Sequence, residues 1–230
     1  EMIKYANNSF LATKISFINQ LSNICQNIPG TNIDDIAKII GLDPRIGKLF
    51  LNAGPGYGGS CLPKDISALI NFADKIGVKP ILLNAVKKTN HEQMNNIISL
   101  MKKILGDITS KRITILGTAF KPNTDDIRDS KSIELIKKLL KNKSKITIHD
   151  PKAIENTKKI FGEKILYATS IADALNKSQC VIIMTHWKQY DTLNNNSIKH
   201  MSEKNIIDCR RVLVKKELDA KYYAIGIGKN

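Results

Sequence analysis

The chain has 230 residues, enough for one large domain or two ordinary ones, and its 42% hydrophobic and 25% charged residues are typical of a globular protein. This composition argues against intrinsic disorder, and no apolar run approaches the roughly 20 residues of a membrane span. The formal net charge is +15, but most lysines alternate with apolar residues at helical spacing, which favours a solvated lysine-rich surface over a nucleic-acid-binding one.

The first hundred residues predict helices only. Apolar residues recur at helical spacing in four stretches, separated by glycine and proline signals. These stretches run up to residue 28, over 32–40, from Pro63 onwards, and from about residue 81 to 105. A loop with five glycines joins the second stretch to the third. We therefore predict an all-helical domain over residues 1–106.

After Gly106 short β-rich runs alternate with helical patterns. The predicted strands cover residues 111–116, 145–149, 165–168, 179–185, 205–209 and 222–226. This alternation indicates an α/β fold with a doubly wound parallel sheet. We therefore predict a second, Rossmann-like domain over residues 107–230.

The start of the first helix carries a polar pair at the end of an apolar stripe. Lys4 and Asn8 are four residues apart and share the helix face that Leu11 and Ile15 continue. Polar side-chain groups at the end of such a stripe suggest that this end of the helix reaches a cleft. The alternative is a lysine that merely extends its charge into solvent at a helix end.

The glycine-rich loop ends in a cysteine at a helix start. Cys61 comes two residues before Pro63, and the helix dipole together with nearby Lys64 favours a thiolate. Asp65 lies in the first turn of the same helix, where its charge is stabilised. We predict a nucleophilic site here, the alternative being an ordinary glycine-rich turn with a capped helix.

Two strand ends in the second half carry residues suited to a nucleotide. The loop after the first strand contains Phe120, which can stack on a base, and Lys121, which can meet a phosphate. A later strand runs into Asp208-Cys-Arg-Arg211, where arginines can clamp a diphosphate, unless they are simply surface residues. The carboxyl ends of parallel strands are where such sheets bind ligands.

The four cysteines, Cys25, Cys61, Cys180 and Cys209, lack the spacing of a zinc site or a disulfide framework. We expect no metal, and a reducing cytoplasmic location. Cys25 and Cys180 lie on apolar stripes and are predicted to be inert core thiols.

Four segments in the same order resemble the UDP-glucose 6-dehydrogenase family of nucleotide-sugar dehydrogenases. EMIKYANNSFLATKISFIN resembles the start of the family's central helical domain, and GLDPRIGKLFLNAGPGYGGSCLPKD resembles its nucleophile loop. ILGTAFKPNTDDIRDSKS and IIDCRRVL resemble its UDP-binding domain. The resemblance covers essentially the whole chain. It departs from the family at Cys209, where glycine is usual, and at His186, where an acidic residue is usual.

The resemblance implies a two-fold oxidation of a sugar alcohol to a carboxylate with two NAD. Cys61 matches the nucleophile that captures the aldehyde as a thiohemiacetal and passes through a thioester. Lys4 and Asn8 match the groups that hold the substrate oxygen, and Asp65 matches the carboxylate that assists proton transfer and hydrolysis. The substrate would be UDP-glucose and the product UDP-glucuronate.

The resemblance also implies binding residues. The matched substrate-pocket positions, besides Lys4 and Asn8, are Arg45, Phe50, Asn52, Tyr57, Gly58, Phe120, Lys121 and Arg210. Arg45 matches an arginine that reaches a neighbouring subunit's site, and Lys64 and Arg128 match positions that meet the nicotinamide cofactor. The expected partners are the UDP-sugar and a second copy of the chain, with neither nucleic acid nor membrane.

The family begins with an NAD-binding Rossmann domain that we do not find here, so we interpret the chain as its central and C-terminal portion, inactive alone. GDP-mannose or UDP-N-acetyl-hexosamine dehydrogenase is the alternative activity, and a non-catalytic UDP-binding and dimerisation module is the alternative class. We predict a homodimer through residues 1–105. The apolar residues that suggest it are Leu11, Ile15 and Ile18 in the first helix, and Met94, Ile98, Met101 and Leu105 in the fourth.

Overall fold

The computed structural model describes residues 1–214 and 216–228, which divide into two compact units. The first unit holds Glu1–Asn96 together with residues 225–228, and the second holds Ile97–Ala224. The domain limits expected from the sequence, 1–106 and 107–230, stay a prediction.

The first unit is built from helices. They are α1 (Met2–Cys25), α2 (Ile33–Ile40), α3 (Leu62–Lys75) and the first part of α4 (Ile81–Leu105). Asn32 caps α2 by accepting a hydrogen bond from the Asp34 backbone N–H, and Pro63 lies in the first turn of α3, where no N–H is needed. Although α1 and α4 have 24 and 25 residues, no helix in the described residues is apolar enough to cross a membrane.

Residues 225–228 complete the turn between α1 and α2. The Ile33 backbone N–H donates to the Gly226 carbonyl at 2.9 Å, and the Gln26 side chain donates to the Ile227 carbonyl at 2.9 Å. Gly226 has a φ of +77°, and a Cβ there would lie 2.4 Å from Ile33 Cγ2. The return of this segment therefore requires glycine at position 226.

The second unit is a six-stranded parallel sheet in the order β3-β2-β1-β4-β5-β6. The strands are β1 (Arg112–Leu116), β2 (Lys145–His149), β3 (Leu166–Tyr167), β4 (Cys180–Ile183), β5 (Asn205–Asp208) and β6 (Lys221–Ala224). The helices are α5 (Lys131–Lys141), α6 (Ile154–Phe161), α7 (Ile171–Leu175) and α8 (Asn195–Ile198), with 3-10 turns at Gly162–Lys164 and Lys188–Thr192. The predicted α/β fold with a doubly wound parallel sheet is confirmed.

The strand order reverses between β1 and β4, which pair with each other at the centre of the sheet. In such sheets the carboxyl ends of the strands at this point form the ligand crevice. Gly117 ends β1 with a φ of +91°, and a Cβ on it would come within 2.4 Å of Thr185 Cβ. Thr185 in turn donates its hydroxyl to the Ala119 carbonyl at 2.6 Å, so the two strand ends are tied together.

Of the seven apolar residues from which a dimer was expected, three are buried and four are partly exposed. The three buried residues are Ile18, Met94 and Met101, each fully buried. The exposed apolar row on α1 is a different one, repeating every seven residues. Its members are Ile3, Phe10, Phe17 and Ile24, each more than half exposed. The interface residues expected from the sequence, like the dimer itself, stay a prediction.

Candidate active site

Lys4, Asn8 and Asp65 meet in the first unit. The Asn8 side-chain amide donates to Asp65 Oδ2 at 2.6 Å, and Lys4 Nζ lies 3.6 Å from the same oxygen. The Asp65 side chain is only 4% exposed, whereas that of Lys4 is 65% exposed. One turn of α1 thus presents an ammonium and an amide donor to a buried carboxylate on α3.

Cys61 is the residue immediately before α3 and the one exposed thiol among the four cysteines, all of them free and described. Its carbonyl accepts the first helical hydrogen bond, from the Asp65 backbone N–H at 2.9 Å. The Ser60 hydroxyl lies 3.7 Å from Cys61 Sγ. The thiol therefore sits at the positive end of the α3 dipole, one turn before the buried carboxylate.

The loop before Cys61 is held by side-chain amides that the sequence analysis missed. Asn90 binds the Tyr57 backbone at both N–H and C=O, at 2.8 and 3.1 Å. Asn19 accepts from the Gly54 N–H at 2.7 Å, and Gln93 donates to the Gly54 carbonyl at 2.9 Å. The spacing of Asn90 and Gln93, three residues apart on one helix face, was the available signal, but uncharged amides on a helix suggest no chemistry by themselves.

The other predicted residues of this loop are spread along it. Arg45 forms an exposed two-point pair with Asp43, with Nη2 2.6 Å from Oδ2, which raises the pKa of Arg45 and lowers that of Asp43. Phe50 is partly exposed with a φ of +64°, a strained conformation for a bulky residue. Asn52 and Lys64 are exposed.

Tyr57 and Gly58 lie in the middle of the loop. The Tyr57 ring packs against Ala12, Ile66 and Val86, and burial raises the pKa of its phenol to about 12. Gly58 is partly exposed. The Tyr57 ring is thus part of the core, and only its backbone is placed to shape a pocket.

In the second unit Phe120, Lys121 and Arg128 follow the carboxyl end of β1. Lys121 Nζ lies 5.4 Å from the centroid of the Phe120 ring, in cation–π range, and the Phe120 N–H donates to the Asp126 carbonyl at 3.0 Å. Arg128 is exposed and pairs with Asp126, Nη2 to Oδ2, at 2.6 Å.

Asp150, which the sequence analysis also missed, holds this loop from β2. Its buried carboxylate accepts the backbone N–H groups of Thr118 and Ala119 at 2.6 and 3.0 Å, and the Trp187 indole N–H at 3.2 Å. Its other oxygen accepts two backbone N–H groups at the start of α6. One carboxylate thereby fixes the segments that follow β1, β2 and β4.

Arg210 follows β5 and donates its Nε–H to the Met184 carbonyl at 2.8 Å. Burial lowers the pKa of Arg210 to about 10, which still leaves it charged near neutrality. Asp208, whose pKa burial raises, accepts the Arg210 backbone N–H at 3.0 Å. Cys209, at the position where the family has glycine, is fully buried without a positive φ, so this backbone does not require glycine.

The described residues do not fit a dinucleotide. Gly54-Pro-Gly-Tyr-Gly-Gly59 has the spacing G-x-G-x-x-G, but it is preceded by loop and α2 rather than by a strand. The β1–α5 connection runs from residue 117 to 130, unlike a tight glycine turn. Lys64 and Arg128 are exposed cations without a phosphate cradle around them.

Comparison with known proteins agrees with both halves of this architecture. Residues 1–92 match the model of the UDP-glucose/GDP-mannose dehydrogenase family, central domain, and residues 114–215 match that of the same family's UDP binding domain. A Rickettsia felis protein named UDP-glucose 6-dehydrogenase is 42% identical over 98% of this chain and 52% of its own length. Bacillus subtilis UDP-glucose 6-dehydrogenase TuaD is 38% identical over 98% and 50%.

A solved structure gives the same result. The UDP-glucose dehydrogenase of the archaeon Pyrobaculum islandicum has a TM-score of 0.90 and 33% identity, covering 99% of this chain and 51% of that one. The chain spans about half the length of the curated relatives that it matches. It belongs to the UDP-glucose/GDP-mannose dehydrogenase family, of which it contains the central domain and the UDP-binding domain.

Proposed function

We propose that the chain is the substrate-binding and nucleophile-bearing portion of an NAD-dependent UDP-glucose 6-dehydrogenase. The observation that carries the proposal is the cluster of Lys4, Asn8 and Asp65, one helical turn from the exposed Cys61. A thiol at a helix start next to a cation, an amide donor and a carboxylate is suited to adding to an aldehyde and releasing an acid.

Each side chain then has a distinct role. Cys61 adds to the sugar aldehyde, and Lys4 and Asn8 stabilise the oxygen on which negative charge develops. Asp65, buried between them, holds a proton or a water for hydrolysis of the thioester. NAD is the oxidant that the resemblance implies, and Lys64 and Arg128 are positions that meet it. The roles given above to Cys61 and the cluster around Asp65 concern only the substrate.

The UDP moiety is assigned to the second unit, at Phe120, Lys121 and Arg210. The carboxyl ends of β1 and β5 carry these residues, on either side of β4, and Arg210 is anchored on the chain segment after β4. An arginine held in this way loses little freedom when it binds a diphosphate. The loop residues Arg45, Phe50, Asn52, Tyr57 and Gly58 are assigned to the sugar.

UDP-glucose is the preferred substrate because relatives named for it are 33–43% identical. Solved dehydrogenases named for UDP-N-acetyl-mannosamine or GDP-mannose reach 22–24%, and they support the fold alone. Free cysteines also suit the reducing cytoplasm that we propose as its location.

Titration calorimetry with UDP, UDP-glucose and GDP-mannose tests the assignment. We expect the chain to bind UDP and UDP-glucose. A Phe120→Ala, Arg210→Ala double variant should bind both at least tenfold more weakly, since stacking and a charged hydrogen bond each contribute about 1–3 kcal/mol. Arg112→Ala, at the opposite ends of the strands, is the control. Undiminished UDP binding by the double variant would contradict the placement.

The competing proposal is a UDP-binding and dimerisation module without chemistry. The enzyme proposal and the binding-module proposal differ in whether UDP-glucose reaches Cys61. We expect UDP-glucose to slow alkylation of Cys61. We also expect the 230-residue chain by itself to form no NADH from UDP-glucose, because its described residues offer no cradle for NAD. NADH formation by the purified chain would refute the second expectation.

A further inference from the structure

We propose that Asn19, Asn90 and Gln93, together called the carboxamide clamp, are positioning residues that set the conformation of the loop leading to Cys61. The inference rests on the proposed function and adds residues to it. Among the described residues none of the three hydrogen-bonds to Lys4, Asn8 or Asp65, so we infer that they act through the loop backbone.

The contact between Asn90 and Tyr57 depends on a carboxamide. The Asn90 Oδ1 accepts from the Tyr57 N–H at 2.8 Å, and the Asn90 Nδ2 donates to the Tyr57 carbonyl at 3.1 Å. This two-point pairing reproduces the contact between two peptide groups. An ionised carboxylate can only accept, so it would satisfy the N–H and repel the carbonyl.

Gly54 is held on both sides of its peptide plane. Asn19 accepts from its N–H, and Gln93 donates to its carbonyl, while Asn23 donates to Gln93 Oε1 at 2.9 Å and fixes that amide. Asn19 and Gln93 are 1% exposed and Asn90 is 8% exposed. Because unpaired buried polar groups are costly, these bonds select one loop conformation.

The clamp is close to the thiol along the chain. Only residues 58–60 separate Tyr57 from Cys61, and Cys61 is in turn fixed at the start of α3. Asn19 also lies on α1, the helix that carries Lys4 and Asn8. All three clamp residues belong to the first unit, so the clamp controls how the sugar-assigned residues of the loop are presented.

The test compares Asn90→Asp with Asn96→Asp, the same change at an exposed position of α4. At pH 8 we expect the first variant to bind UDP-glucose about tenfold more weakly while its UDP affinity stays within twofold, and the control to match the wild type. At pH 5 the new carboxyl group, its pKa raised by burial, becomes protonated and regains a donor. The loss relative to wild type should then shrink to less than about threefold.

Other titrations do not mimic this recovery. Asn19 and Asn23, facing from α1, are uncharged, and the pKa of the Tyr57 phenol is about 12. His91 and Glu92, next on α4, are exposed and are present in wild type and control alike. Comparing each variant with wild type at the same pH therefore isolates the new carboxyl group.

Three results with a folded Asn90→Asp variant would overturn the proposal. They are an unchanged affinity for UDP-glucose, an equal loss of affinity for UDP, and no recovery of UDP-glucose affinity at pH 5. If Asn90→Asp fails to fold, Gln93→Met takes its place, because it keeps the side-chain volume and the helix propensity. That variant must lose affinity for UDP-glucose but not for UDP at pH 8. If the wild type binds neither ligand, the proposed function fails instead. Hydrogen exchange then tests the clamp by itself. The proposal requires the backbone amides of residues 54 and 56–59 to exchange at least about tenfold faster in the folded variant than in wild type.

Discussion

Cys61 differs from the other three cysteines in exposure and surroundings. Cys25, Cys180 and Cys209 are buried, and burial raises the pKa of the latter two thiols. We expect iodoacetamide to label Cys61 at least about a hundredfold faster than the three buried cysteines, because a buried thiol reacts only after local unfolding exposes it. Peptide mapping after brief alkylation measures this, and equal labelling of Cys25 would contradict it.

His149 gives a residue-scale prediction about pH. Burial lowers its pKa below the ordinary value of 6.5, although the neighbouring Asp150 opposes the shift. The unfolded chain therefore takes up this proton at a higher pH than the folded chain does, and stability falls as the pH drops below about 6.5.

Urea unfolding of the wild type and of His149→Gln at pH 7, 6 and 5 tests the sign. We expect the variant to lose less stability than the wild type between pH 7 and 5. His200→Gln, at an exposed position, should follow the wild type. A steeper acid loss in His149→Gln would show that the buried imidazole does not resist protonation.

The sequence showed the reactive residues of the candidate site but not the buried polar residues that hold the loops around them. Lys4 and Asn8 share a helix face by spacing alone, and the structure does bring them to Asp65. Asn90 and Asp150 matter because of which backbone groups lie opposite them. That information comes from long-range packing, which no local pattern contains.

At the scale of elements, periodicity was sufficient where a segment was long or continuously apolar. The four helices of the first unit and all six strands were expected close to their observed positions. The short α8 and the 3-10 turns were not, because four or five residues do not establish a period. The addition of residues 225–228 to the helical unit was also unforeseen, since it depends on hydrogen bonds to residues some 200 positions earlier.

The junction of β1 with β4 leads to a prediction about Gly117. A methyl group there would overlap the Thr185 backbone and side chain, and the positive φ adds strain. We expect Gly117→Ala to cost about 3 kcal/mol or more, against about 1 kcal/mol for Gly162→Ala, which has a positive φ but nothing within 4 Å. Urea unfolding compares the two, and equal costs would mean that crowding at Thr185 is relieved by movement.

For the whole molecule, the exposed row of Ile3, Phe10, Phe17 and Ile24 predicts self-association. A seven-residue repeat keeps apolar side chains on one seam between paired helices, and such a surface is unusual on a monomer. We expect a homodimer in light scattering, and a monomer for Phe10→Glu, Phe17→Glu, which places charge on the seam. Ile160→Glu in the second unit is the control. A wild-type monomer at high micromolar concentration would refute the dimer.

The return of residues 225–228 to the helical unit has a consequence for biosynthesis. The ribosome makes Asn32 and Ile33 about 190 residues before Gly226 and Ile227, which at about 5–20 residues per second is a delay of roughly 10–40 seconds. During that time the chain through β5 is synthesised, while the turn between α1 and α2 still lacks its hydrogen-bond partners in residues 225–228. A nascent chain interrupted just after β6 would thus contain all six strands of the second unit. Its first unit would lack the hydrogen bonds that residues 225–228 supply to the turn between α1 and α2.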